Sequence, residues 1–199
     1  DPRAFVCAVH GLLKEGGTFY FLVPNIFANT ADLVVADHVN HFSAQSLQRL
    51  LVDAGFTVRE INGEAHNSAW VVVAEKSEGV GVEAETKSIS QSVHEMAAYW
   101  NEFGDRVSVF EKAGSGAAAI YGSGFYGTFI HASLEQPEAV VCFLYQNPHR
   151  QQQVLLGKPI VSPEALPETV QRLYVGLNPR VAQTELAAEP LPELEMFLP

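Results

Sequence analysis

The sequence predicts an α/β chain in two parts, and three observations carry that expectation. Phe5, Val6, Val9, Leu12 and Leu13 fall at helical spacing, and Gly16-Gly17 then leads into the apolar run Thr18 to Val23, which has strand length and closes at Pro24. A second strand-length run, Ala117 to Tyr121, passes through a glycine turn into a helix and returns as Ala139 to Tyr145, a βαβ unit with right-handed crossover expected. Between these parts, residues 77 to 88 are polar and rich in Gly and Glu, as a surface linker is. The expected division is 1–76, then a linker and long helix over 77–113, then 114–199.

Each remaining element has its own local signal. The unbroken apolarity of Thr18 to Val23 reads as a central strand covered on both faces. Ser43 is placed to cap a helix from Ala44 to Ala54, with Phe42 and Leu47 spaced for a hydrophobic staple and Gly55 as the stop. Phe56 to Ile61 and Ala69 to Ala74 read as strands, and the short link containing Asn62-Gly63 favours antiparallel pairing. Ile89, Val93, Met96, Trp100, Phe103, Val107 and Phe110 step by four and three along one face of a long helix, which Gly104-Asp105 is placed to break or bend. Too few heptads are present for a coiled coil, so this face is expected to pack against its own chain. Thr128 to Leu134 reads as a helix, Pro159 to Val161 and Arg172 to Leu177 as short strands, and Pro179 to Ala188 as a closing helix. The tail after Pro190 is expected to be extended.

Composition narrows the partners. The 199 residues suffice for a real core without disulfide or metal staples. Lys plus Arg is 12 and Asp plus Glu is 23, a net charge of −11 that repels nucleic-acid backbones and anionic lipid surfaces. Neither partner is expected. Hydrophobic residues make up 47%, which favours packing over disorder. Cys7 and Cys142 form no CxxC pair, as in a reducing compartment. The longest apolar run, Ala139 to Tyr145, is too short to cross a bilayer, and no secretion signal opens the chain, so a cytoplasmic location is expected.

Two clusters carry candidate chemistry. Gly122-Ser-Gly124-Phe-Tyr-Gly127 follows a strand and opens a helix, the setting in which backbone N–H groups and the helix dipole hold a phosphate. Where a dinucleotide fold places an acidic ribose contact stands Tyr145-Gln146-Asn147, which counts against NAD binding. The glycines are then either a cradle for another phosphate or a packing device. Asp37-His38-Val-Asn-His41 lies beyond a strand's carboxyl end, where α/β sheets build sites. Its residues suit a divalent metal, but no fourth ligand or HExxH frame is evident and no metal is expected. They also suit a solvated loop, or a general base at His38 whose protonated form Asp37 supports. His66-Asn67-Ser68 is placed either to line the same pocket or simply to close a turn.

Leu13-Lys-Glu-Gly-Gly-Thr-Phe-Tyr-Phe-Leu-Val-Pro24, Asp37-His38, His41-Phe42-Ser43 with Ser46-Leu47, and Ala54-Gly55-Phe56 together resemble the late part of a class I S-adenosylmethionine-dependent methyltransferase. Gly122 to Gly127, Tyr145-Gln-Asn-Pro148, Leu156-Gly157-Lys-Pro-Ile160 and Val175-Gly-Leu-Asn-Pro179 resemble the Rossmann-like C-terminal domain of the sugar C-methyltransferase family. The resemblance implies the closing part of a class I methyltransferase sheet, followed by a second Rossmann-like βαβ domain. It implies methyl transfer from S-adenosylmethionine to a carbon beside a ketone on a nucleotide-linked deoxysugar. His38 would remove the α-proton, and Asp37, where the family usually has Glu, would orient it or contact the sugar. His66, Asn67 and Ser68 match a family His-Gly-Gly-Ser stretch near the substrate, and Gly122, Gly124 and Gly127 would contact the nucleotide. The early donor-binding strand and the cysteine-rich zinc module of that family are not in this sequence, so the chain is expected to be a C-terminal piece, inactive without the N-terminal part. The rival expectations are a non-catalytic nucleotide- or phosphate-binding or assembly module, and an NAD-dependent oxidoreductase.

Overall fold

A computed structural model describes residues 1–77, 89–188 and 191–199. The polar stretch expected as a linker, apart from Ser77, lies outside the described residues, as does Pro190. The chain is mixed α/β and divides into two compact units, Asp1–His94 and Glu95–Pro199.

In the first unit, helix α1 (Pro2–Leu12) begins where the Asp1 carboxylate accepts from the N–H groups of Arg3 at 3.0 Å and Ala4 at 3.2 Å. That side chain satisfies donors the first turn leaves open, and Pro2 suits the first turn because it has no N–H to lose. At the other end, Lys76 Nζ donates to the carbonyls of His10 and Leu13, placing a cation at the negative end of the helix. Strands β1 (Thr18–Pro24), β2 (Phe56–Asn62) and β3 (Ala69–Lys76) form a sheet in the order β1-β3-β2, with β3 antiparallel to both neighbours. Helix α2 (Ala44–Asp53) starts at a reciprocal cap, Ser43 Oγ accepting from Ser46 N–H and Ser46 Oγ from Ser43 N–H. The second capping oxygen is a serine, where the common box has Glu or Gln. Val6 of α1, Leu47 and Leu51 of α2, and Phe56, Val72 and Ala74 of the sheet form one buried cluster, onto which Phe19, Phe21 and Phe42 pack.

The expectation of a central β1 is corrected. Among the described strands β1 pairs only with β3, and its residues alternate between half-buried Phe19, Phe21 and Val23 and exposed Thr18, Tyr20 and Leu22. The run looked uniformly apolar because Tyr20 and Leu22, on the uncovered face, are themselves apolar.

In the second unit a six-stranded sheet runs in the order β6-β7-β5-β4-β8-β9. It comprises β4 (Ala117–Tyr121), β5 (Val140–Leu144), β6 (Val154–Leu155), β7 (Lys158–Val161), β8 (Val170–Val175) and β9 (Glu195–Phe197). All neighbours are parallel except β6, which is antiparallel to β7, so the sheet is mixed. Helix α4 (Phe125–Ser133) joins β4 to the adjacent parallel β5, and α5 (Pro179–Ala187) follows β8. Helix α4 begins three residues before the segment expected to be helical, so the aromatic part of the glycine-rich stretch is already inside it. The tail expected to be extended does more than that, adding a parallel edge strand, β9, to β8.

Helix α3 (Ile89–Ala113) runs through Gly104 without a break and buries Met96, Trp100, Phe103 and Val107. A lone glycine costs a helix only about 1 kcal/mol, which the packing of its neighbours outweighs. Trp100 meets the rings of Phe125, Tyr126 and Phe129 of α4, the centroids 5.0–5.6 Å apart. The end of α3 is held by Arg172 of β8. This side chain is only 5% exposed, lies with its guanidinium 4.2 Å from the Phe110 ring, and donates to the carbonyls of Phe110 and Glu111 and to Glu195 of β9.

Candidate functional site

A cleft of about 420 Å³ opens in the first unit where β1 ends and β3 begins. Leu22, Val23 and Pro24 supply an apolar wall, and Asp32, His38 and His66 are among its polar residues. The segment after β1 is held in place locally. Asn25 is buried, its backbone N–H donates to Ser68 O at 2.9 Å, and it bridges to Phe42, whose carbonyl accepts from Trp70 Nε1 at 3.0 Å. Within it, Asn29 caps a 3₁₀ turn over Thr30–Leu33 by accepting from Ala31 N–H, and this turn presents Asp32 to the cleft.

Asp32 is the acid that meets His38. Its side chain is 6% exposed, and Oδ1 lies 3.3 Å from His38 Nδ1, within ion-pair distance though off hydrogen-bond alignment. Asn29 Nδ2 donates to the same oxygen at 3.0 Å. Burial raises the Asp32 pKa above the ordinary carboxylate value, opposed by the positive field and hydrogen bonding of His38 and, more weakly, by His41 and Asn29. Asp37 is exposed, and no ion pair joins it to His38 among the described residues. A neutral His38 ring that holds its proton on the Nδ1 facing this carboxylate has Nε2 left as a proton acceptor.

His66, itself exposed, and half-buried Ser68 line the same cleft from the β2–β3 connection, while Asn67 lies outside the lining. Ser68 N–H donates to His66 Nδ1 at 3.2 Å. His41 is exposed. Among the described residues no group of three or more His, Cys, Asp and Glu side chains is arranged to hold a metal ion.

The second cluster lies at the carboxyl end of β4, whose neighbours β5 and β8 lie on opposite sides. Crevices of parallel sheets form at such points, where successive connections leave in opposite directions. Gly122 has φ +106°, and a Cβ there would overlap the carbonyl oxygen of Gly176, just beyond β8. A Cβ on Gly127 would overlap the carbonyl oxygen of Gly122. These two glycines are therefore required by the close approach of backbone segments. Gly124 differs: among the described residues a Cβ there would meet nothing, and no side chain caps the helix it opens. Ser123 beside it is 3% exposed, and its Oγ has no hydrogen-bond partner among the described residues. Tyr145, at the end of β5, is half-buried and donates its backbone N–H to Val161 O.

Sequence reasoning missed Asp32 and Asn29. The available signal was the pair Asn29 and Asp32, three apart, since Asn at the head of a short turn accepts from the backbone within it. No helix of the described residues is long and apolar enough to cross a membrane. No protein-family model matches this chain, and no curated protein matches it.

Proposed function

We propose that this chain is the C-terminal part of an S-adenosylmethionine-dependent C-methyltransferase acting on a nucleotide-linked keto-deoxysugar, with His38 as the general base. The observation that carries the proposal is His38 Nδ1 facing the buried Asp32 carboxylate in a cleft at the carboxyl end of β1. An imidazole held in this way suits removal of a proton beside a ketone, a step in which a positioned base contributes typically ~10²–10⁴-fold. The reversed β3 between β1 and β2 supports it further, because the closing end of a class I methyltransferase sheet carries such a strand.

S-adenosylmethionine would supply an electrophilic methyl group. The described residues of the first unit hold no glycine-rich turn opening a helix, and so do not fit the donor. The chain's own task is enolisation. His38 Nε2 accepts the α-proton, and Asp32 steadies the resulting imidazolium. The Gly122 to Gly127 turn is assigned to the nucleotide part of the substrate.

A second reading, a non-catalytic phosphate-binding module, is favoured by one observation, a Ser123 Oγ without a partner among the described residues, beside the start of α4, which none of their side chains caps. Exchange of the α-proton needs no methyl donor, so a chain expected not to complete methyl transfer alone is still testable for it, and incubation with a nucleoside-diphosphate keto-deoxyhexose in D₂O distinguishes the two. Enolisation requires α-deuterium incorporation by wild type and its loss in His38→Ala. A ligand that binds without exchanging its protons leaves the binding module.

A further inference from the structure

Resting on the enolising reading, we propose that His66 is the second catalytic residue of the cleft, the hydrogen-bond donor to the ketone oxygen as it becomes an enolate. One hydrogen bond, at His66, and one ion-pair contact, at His38, point to this role. A backbone N–H can only donate, so the Ser68 N–H at 3.2 Å makes His66 Nδ1 an acceptor with no proton of its own. In the neutral ring the proton then sits on Nε2, the one N–H that His66 has left to offer. His38 is the reverse case, since the carboxylate of Asp32 draws the proton to Nδ1 and leaves Nε2 bare.

Both rings line one cleft, and they reach it from different segments: His38 from the stretch after β1, His66 from the β2–β3 connection. The cleft thus presents one nitrogen lone pair and one N–H to a guest set against Leu22, Val23 and Pro24. A carbonyl compound with an α-hydrogen needs that complement. His38 Nε2 takes the proton from the α-carbon, and the C–H electron pair becomes the carbon–carbon double bond of the enolate. The carbonyl π pair moves onto oxygen, where His66 Nε2–H stabilises the charge. In D₂O the His38 ring exchanges its acquired proton with solvent, and returning a deuteron to carbon restores the ketone.

The same arrangement explains why this turn contains a histidine followed two residues later by an N–H turned back on it. A turn that only closes the chain has no need of an imidazole acceptor, because Asn or Ser would serve.

The test uses the 199-residue chain and the same nucleoside-diphosphate keto-deoxyhexose in D₂O, together with ring-nitrogen NMR of the unliganded protein. His66 should show the Nε2–H form and His38 the Nδ1–H form. His66→Ala should slow α-deuterium exchange by ~10²–10³-fold, the usual loss when one donor to a developing oxyanion is removed. His66→Gln, whose amide keeps an N–H, should restore much of it. An Nδ1–H form of His66, or exchange by His66→Ala at the wild-type rate while His38→Ala is inactive, overturns the inference and leaves the enolising reading standing. Absence of exchange by the wild-type chain brings both down.

Discussion

Asp32 Oδ1 and His38 Nδ1 lie 3.3 Å apart, and the carboxylate of this pair is almost wholly removed from water. Burial therefore competes with pairing at Asp32, and burial prevails, so its pKa is raised. Folding then binds a proton at Asp32 more tightly than the unfolded chain does. The stability this adds is fully present below the ordinary carboxylate pKa and is lost as pH rises through the raised value. Asp32→Asn removes that dependence. Urea denaturation of both proteins from about pH 3 to pH 7 should show wild type losing ground to the variant as pH rises through the carboxylate range. A relative gain by wild type over that range would refute the assignment.

The two glycine contacts at the end of β4 make a graded prediction. Gly127→Ala pushes a methyl group into the Gly122 carbonyl oxygen, and Gly122→Ala combines a similar overlap with a positive φ. Each should cost about 1–3 kcal/mol or more. Gly124→Ala faces open space and loses only the N-cap preference, at most about 1 kcal/mol. Chemical denaturation of the three variants checks the order, and equal costs at all three positions would contradict the packing described here.

Arg172 links three elements, and its removal should be felt at each. Arg172→Leu leaves the Phe110 and Glu111 carbonyls at the end of α3 without their donor. The expected loss is about 2–4 kcal/mol, since each polar group left buried and unpaired costs about 1–3 kcal/mol. Glu195 is half exposed, so Glu195→Gln should cost less than about 1 kcal/mol. Thermal unfolding separates the two, and a larger loss at Glu195 would mean that the ion pair, not the helix end, matters most.

The two thiols should differ sharply in reactivity. Cys7 is exposed on α1, whereas Cys142 is buried in β5, where desolvation pushes its pKa up to about 11. Titration with a thiol-specific disulfide reagent should label one cysteine in the native protein and two in denaturant. Two rapid equivalents under native conditions would show that the second unit opens.

Much of the fold was legible from local signals. Ser43, Gly55 and the 3.6-residue spacing of Leu47, Leu50 and Leu51 mark α2, and Gly122 to Gly127 marks the joint between β4 and α4. What could not be read depended on contacts distant in sequence. The edge position of β1 is a matter of pairing partners, which hydrophobicity does not encode. Strand β9 consists of three residues that pair with β8 across some 23 positions of sequence, Glu195 opposite Arg172. At the candidate site, His38 and His66 were visible as residue types in a loop. Asp37 drew attention by adjacency, yet neighbouring side chains on an irregular segment need not face each other. Asp32, six positions before His38, is brought round by the 3₁₀ turn.

The outer rim of β1 has a practical bearing on handling the protein. Along Thr18–Pro24 the backbone groups that face away from β3 meet no other described strand, with Tyr20 59% and Leu22 45% exposed alongside. Such a rim is a template on which foreign strands can grow. Concentrated preparations should therefore oligomerise progressively, visible as a sedimentation coefficient that climbs with loading. Tyr20→Lys, by placing charge on that template, should keep the particles small.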